Sequence, residues 1–552
     1  MRRGVKRRAF QGGAGPFGPV KHAVSGNKIY DVIVVGYGPT GMLAAVLLGR
    51  AGHRVAVVER YKTLYNLPRV GIVHDDILRM FQEIGCLEKV WPATFFLPTY
   101  ELANEGRVLL SSTVAPLATH GWPEFTSLYQ PAFERELDIM AKALPQVDVL
   151  QGQTVVAVDQ DAERVEVTVE ADGARRQLAA RYLIGADGGN SFVRQALGIG
   201  YEDLGFDQDW LVIDARAKKP QGPHLPMLRQ FCEPEQPGMT MRMGPDHRRW
   251  SFMIFAGESH TEAMKPENVW RRLKRREGGT PEEFELIRIA SYKFRSLYAE
   301  RWRHGRIFLA GDAAHQMPPF LAQGLCSGFR DSHNLAWKLD LVLKGRAGPD
   351  LLDAYMAERG PNARATIVES MRVGQNVNER DPVKVRERDE RLLALQAAKE
   401  KGETQPQLIA FRVPGFTAGL IGNEPLRGGG DVFPQAQVRR DGREGRFDDV
   451  AGRGFMILSR NDDAAALLGA EDRAFWAHLG GSFVRIGGAA DPAQGVVADV
   501  EGRYTRLMDE YGCDILIKRP DYYLFGACRG ADLPAALADL RRQLTAPGHS
   551  AG

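Results

Sequence analysis

At 552 residues the chain is too long for a single hydrophobic core, and roughly 150 residues per unit leads us to expect two to four domains. A composition of 44% apolar and 26% charged residues excludes general disorder, and 72 basic against 69 acidic side chains leave a net charge of +3, too balanced for a nucleic-acid binder. Five cysteines, odd in number and never spaced CxxC, speak against a disulfide framework or a cysteine zinc site and point to a reducing, cytoplasmic setting.

Residues 1–29 carry Arg2, Arg3, Lys6, Arg7 and Arg8 followed by Gly/Pro-rich sequence without an apolar stretch, which reads as a disordered leader rather than a signal peptide. No run of 18 apolar residues is present, so no stable membrane association is expected. Order begins at Tyr30. The run YDVIVV (30–35) predicts a buried parallel strand, Thr40 to Ala51 a helix stopped by Gly52, and RVAVV (54–58) a second buried strand ending on Glu59. A helix is expected over 132–144, shorter strands over 155–169, and a returning strand at YLIG (182–185). Alternation and turn signals over 206–255 predict a mixed or antiparallel sheet inserted into the first domain. RIFLA (306–310) adds one more strand, and long helices are expected over 325–344 and 351–374. Beyond a charged helix at 379–401 and a linker at Gly428–Gly430, strands and helices over 452–544 form a further unit.

Gly36, Gly38 and Gly41 follow the first strand and open the first helix, and Glu59 lies 23 residues after Gly36. In that setting the glycines serve a tight turn, close approach of backbone to a pyrophosphate, and helix–strand packing. The acid accepts hydrogen bonds from ribose hydroxyls. A second motif, GADGGNSFVR (185–194), contains Asp187. A third, RIFLAGDAAH (306–315), sets Asp312 after a glycine turn at a strand end, where a carboxylate suits a polyol chain. The PPFLAQG segment (318–324) then leads into a helix at Leu325, whose N-terminus can stabilise negative charge on a ring.

Together these motifs resemble the group A FAD-dependent aromatic monooxygenases, the p-hydroxybenzoate and phenol hydroxylase class. The likeness runs from about Tyr30 to Ala365, and MPPFLAQGLCSGFRDSHNLAWKL (317–339) with YEDLGFDQDWLV (201–212) is most similar to 3-(3-hydroxyphenyl)propionate hydroxylases. The resemblance implies an α/β fold: a Rossmann-type FAD-binding domain (30–200 and 290–375), an inserted mixed β-sheet substrate domain (201–289), a helical and linker region (376–430) and a thioredoxin-like C-terminal domain (431–552). It also implies FAD held by Gly36, Gly38, Gly41, Glu59, Arg69, Gln130, Asp187 and Asp312, with Pro319 at the reacting edge and Gly324 and Leu325 offering backbone N–H groups to the ring.

The expected reaction uses NADH, or less favourably NADPH, and O2. A flavin C4a-hydroperoxide hydroxylates a phenolic ring ortho to its existing hydroxyl, with a phenylpropanoid acid such as 3-(3-hydroxyphenyl)propionate as substrate. No second dinucleotide unit serves the nicotinamide. Relatives of this kind often read AVGIDDE after the arginine, whereas this chain reads VGIVHDD, so His74 is the candidate base for drawing off the phenol proton. His315 is expected to be structural. For an acidic side chain the inserted sheet supplies Arg229, Arg242, Arg248 and Arg249, with Gln230, Phe231 and Trp250 as pocket candidates; Arg229, Arg242 and Trp250 are the chosen substrate contacts. A polyketide hydroxylase, an FAD-dependent dehydrogenase or reductase, and a flavin-binding sensor remain the alternatives, and a homodimer stays open.

Overall fold

The computed structural model describes residues 29–275, 279–404, 412–460, 463–488 and 495–545. The expected leader therefore lies outside the described residues, apart from Ile29. Strand Ile29–Val35 sits between Val55–Glu59 and Ala174–Gly185, all parallel, with Ile307–Leu309 parallel beyond the latter. Apart from Ile29, Asp31 and Glu59, the residues of the two leading strands are buried, because helices cover both faces of a parallel sheet. Pro39 starts the helix Pro39–Arg50, where its missing N–H costs nothing. The helix buries its Met, Ala, Val and Leu side chains beneath the long helix Gln323–Leu343.

The second sheet has eight strands, and its centre is Tyr201–Ala217 hydrogen-bonded to Phe284–Ala299 and to His247–Ile254. Gly238–Met243 and Leu228–Phe231 extend it. It then takes Thr99–Asn104 in parallel and Arg107–Thr113, strands from well outside the 201–289 block expected to build it. No local pattern announces this recruitment: these strands read as short amphipathic pieces, and their partner lies more than a hundred residues away. The sheet is thus mixed, as predicted, but built from three separate chain segments, the third being the short strand His315–Gln316 at its edge.

A seven-stranded sheet over 437–528, flanked by Ala470–His478, Arg503–Tyr511 and Leu533–Thr545, forms the C-terminal unit. The glycines expected to be a linker at 428–430 are instead pinned to it. Arg427 N donates to Ala527 O (3.0 Å) and Gly430 N to Leu524 O (2.9 Å). Buried ion pairs join this unit to the first, including Arg79 with Asp448 and Arg519 with Glu358. Among the described residues no helix is long and apolar enough to cross a membrane.

Candidate active site

A cavity of about 850 Å³ is lined by the parallel sheet and its loops on one side and by the mixed sheet on the other. At its first end, Gly36 takes φ +101°, and a Cβ there would collide with the carbonyl oxygen of Ala186. A Cβ on Gly41 would strike the Gly36 carbonyl, whereas Gly38 faces open space. The helix beginning at Pro39 has no side-chain cap, so its first free N–H groups are left for another partner. Glu59 is fixed by two backbone donors, Tyr37 N at 2.8 Å and Tyr61 N at 2.9 Å.

The two aspartates singled out in the sequence behave differently. Asp187 lines the cavity, yet its carboxylate turns back on its own loop, accepting from the Ser191 hydroxyl (2.5 Å) and Val193 N (3.0 Å). It shapes the turn and caps the short helix Phe192–Ala196. Asp312 has no side-chain hydrogen bond to any described residue and faces the cavity. Beside it, Ala322 adopts the left-handed φ of 56° to start the helix Gln323–Leu343, again without a side-chain cap. Gly324, Leu325 and Pro319 border the same space.

Arg69 and Gln130 form one lock. The Gln130 amide oxygen accepts from Arg69 N (2.7 Å) and Val70 N (2.6 Å), and its amide nitrogen donates to Glu134 (2.6 Å), which also receives Arg69 Nη2 (3.3 Å). From the opposite side Arg249 donates to Arg69 O (2.7 Å) and Pro68 O (3.1 Å) while paired with both oxygens of Asp214. The loop carrying Arg69 is therefore held from both walls, leaving its guanidinium partly exposed. Glu134 and Asp214 went unnoticed in the sequence. Glu134 sits four residues after Gln130, the helical spacing that could have marked it.

His74 is buried in the cavity wall. Gln323 Nε2 lies 3.0 Å from its Nε2, Leu321 O lies 3.3 Å away, and Phe125 meets it edge-on. Arg330 orients that amide by donating to Gln323 Oε1 (2.7 Å) while paired with Asp76 (2.5 Å). Burial, reinforced by the Arg330 charge, pulls the His74 pKa down to about 4. The imidazole is thus neutral in the fold but protonates more readily in the unfolded chain. Stability should fall as pH drops from about 6.5 through about 4, by about 3 kcal/mol from this group. Melting curves across that range check it: His74→Asn should flatten the slope, and an unchanged slope would refute the buried neutral ring. His315 is structural, paired at 2.7 Å with buried Asp331, which in turn holds Arg359.

The mixed sheet roofs the cavity with alternate residues. Trp210 and Val212, Leu228 and Gln230, Met239 and Met241, Arg249 and Ser251, and Tyr292 and Phe294 all line it. Cross-strand pairing explains the set, since Gln230 lies opposite Met239, Met239 opposite Ser251, and Ser251 opposite Val212. Side chains alternate faces along a strand, so the side-chain neighbours of these residues point away, except at the rim, where Lys293 and Arg295 also border the space. That displaces all three substrate contacts expected from the sequence by one position. Trp250 packs on Phe284 in the outer core; Arg229 pairs with Glu101 (2.8 Å); and Arg242 donates to the carbonyls of Gly244 and Pro245 over the Phe95 ring. Phe231 and Arg248 share that outer face. None of the five lines the cavity, whereas Arg249 and Gln230 do.

Comparison with known proteins agrees with this architecture. The FAD binding domain family matches residues 29–370 and the HcaD C-terminal domain family residues 430–543. A probable NADH-specific resorcinol 4-hydroxylase of Rhodococcus jostii (strain RHA1) is 40% identical over 95% of this chain and 96% of its own. A 3-(3-hydroxy-phenyl)propionate/3-hydroxycinnamic acid hydroxylase of Mycobacterium avium (strain 104) is 35% identical over 92% of each chain. In fold, the flavin-dependent monooxygenase PieE, crystallised with FAD and substrate, superposes with a TM-score of 0.78 over 94% of this chain and 100% of its own, at 21% identity. A glycine cradle, a cavity reaching from the parallel sheet to the mixed sheet, and relatives matching nearly end to end lead to one assignment: the chain belongs to the FAD-dependent aromatic monooxygenases and takes FAD as its cofactor.

Proposed function

We propose that this protein hydroxylates a small phenolic ring ortho to its existing hydroxyl, with NADH as electron donor and O2 as oxidant, in the cytoplasm. FAD, when bound, supplies hydride acceptance and oxygen activation. The residues present suit that group. Gly36, Gly38 and the open start of the helix Pro39–Arg50 make a pyrophosphate cradle, Glu59 keeps acceptor capacity for ribose, and Asp312 is an unpaired carboxylate suited to a polyol chain. Gly324 and Leu325 border the cavity at an uncapped helix start, which suits anionic charge on the ring. Asp187 and the Arg69–Gln130–Glu134 lock shape the loops around it. Pro319 borders the reacting edge, and the neutral His74 serves as hydrogen-bond partner to the phenol hydroxyl, with Gln323 packed against its ring nitrogens. Five free, buried thiols support the cytoplasmic setting.

The observation that carries the substrate reading is the state of Arg249. It is the buried arginine of the lining, and its donors go to Asp214, Pro68 O and Arg69 O, so no uncommitted cation awaits a carboxylate there. This favours an uncharged diphenol, in keeping with the relative named for resorcinol, over the phenylpropanoid acid that the sequence led us to expect. The argument for the acid is that exposed cations border the same lining, Arg295 among them, as partners for a propionate chain. NADH consumption and product analysis across resorcinol, 3-(3-hydroxyphenyl)propionate and a fused-ring phenol decide the matter. Resorcinol should give the highest kcat/KM with a trihydroxybenzene product. Better turnover of the acid, lost in Arg295→Ala, would reverse the choice, and turnover of the fused-ring phenol alone would make this a polyketide-type hydroxylase.

A further inference from the structure

Two polar groups in the chamber wall have no partner. The Tyr100 hydroxyl and the Gln230 amide oxygen are buried without a hydrogen bond among the described residues, on side chains only 2% and 5% exposed, and both residues line the cavity. They stand on adjacent parallel strands. Leu102 is opposite Gln230, which sets Tyr100 on the same face two residues away. Leu228, Met239 and Met241 surround them with apolar surface. Buried polar groups in native proteins are almost always satisfied, and an orphaned pair facing a cavity marks a ligand contact. Burial holds the Tyr100 pKa well above its ordinary value, so the group remains a neutral O–H.

We propose that Tyr100 and Gln230 form the subsite for a second, non-reacting hydroxyl of an uncharged diphenol. This rests on the phenol-hydroxylase reading above and specifies how that site selects its substrate. A hydroxyl donates to the Gln230 amide oxygen and accepts from Tyr100 at once. Turning the amide over exchanges acceptor for donor, and a hydroxyl answers both. A carboxylate, which only accepts, matches one orientation of the amide where a hydroxyl matches both, and it brings a charge to a wall whose arginine is already committed to Asp214.

Binding to the FAD-loaded protein, followed without NADH by calorimetry and by perturbation of the flavin spectrum, tests this separately from turnover. Wild-type protein should bind resorcinol about tenfold more tightly than phenol, and Tyr100→Phe and Gln230→Leu should each erase most of that preference. Tyr100→Phe should keep or raise the Tm, because it removes an unsatisfied hydroxyl. The proposal is overturned by variants that weaken phenol and resorcinol equally, by tighter binding of 3-(3-hydroxyphenyl)propionate than of resorcinol, or by a Tm loss in Tyr100→Phe that reveals a structural role. If the yellow protein binds resorcinol with this preference yet forms no hydroxylated product, the reaction assigned above fails while the subsite stands.

Discussion

Asp312→Ala should be purified essentially colourless, with bound FAD reduced at least about tenfold relative to the wild type and a melting temperature for the flavin-free protein no lower than that of wild-type apoprotein. The pairing of these outcomes is what makes the prediction sharp. A buried carboxylate ordinarily has protein donors, and its removal destabilises the fold. Asp312 has none among the described residues and opens onto the cavity, where its side chain is exposed, so the fold gains nothing from its charge. Its oxygens are left free for a ligand offering hydroxyl donors. Gly36→Ala should also lose the flavin but for a different reason. Its Cβ would be placed at φ +101° against the Ala186 carbonyl, and the turn itself must distort, so here the apoprotein melts lower as well. Flavin absorbance per mole of protein and melting curves with and without added FAD separate the two cases. Full flavin retention in Asp312→Ala would remove this residue from the cofactor site.

The second large effect concerns the seam between the first and last units. Glu358 accepts from Arg519 at 2.8 and 2.7 Å, from Lys338 Nζ at 2.7 Å, from Asn334 at 2.7 Å and from Leu420 N at 2.9 Å, all in the interior. Asp521 pairs with the same arginine. Glu358→Ala strands Arg519 and Lys338 without their shared acceptor, and breaking a buried pair on one side costs about 3–5 kcal/mol. For a chain of this size that corresponds to a fall in Tm of roughly 3–4 °C, read by differential scanning calorimetry. Lys338→Met should be milder. Burial already lowers the Lys338 pKa to about 8, so its ammonium is poorly accommodated and its loss removes a charge that the interior resists. If Glu358→Ala and Lys338→Met melt alike, the network is not organised around Glu358.

The strand–turn–helix–strand of the nucleotide end was legible in the sequence almost residue by residue, because continuous apolar runs and glycine spacing are local signals. The helix expected over 325–344 is observed at Gln323–Leu343, and the charged helix expected over 379–401 at Pro382–Glu400. Three things were not legible. The recruitment of Thr99–Asn104 into the mixed sheet is a long-range pairing, set by tertiary packing rather than by propensity. The inward face of that sheet could not be fixed either, because alternation gives two faces and sequence alone does not say which is core. In Arg248–Arg249–Trp250–Ser251 both faces carry plausible binders, and the expected contact Trp250 lies on the face turned away from the cavity. Last, a side chain's partner decides its role. Asp187 and Asp312 follow similar strand–turn signals, yet one is consumed by Ser191 and Val193 and the other is left open to the cavity.

The roof of the chamber also bears on how such an enzyme changes its diet. Gln230, Met239, Met241 and Ser251 come from neighbouring strands whose intervening residues sit in a separate core with Phe231, Trp250 and Phe252. Mutational tolerance along these strands should therefore look like a comb, with replaceable teeth toward the ring and rigid gaps between them. Selection for a new aromatic compound can then act on the teeth one at a time while the backbone that carries them stays as it is.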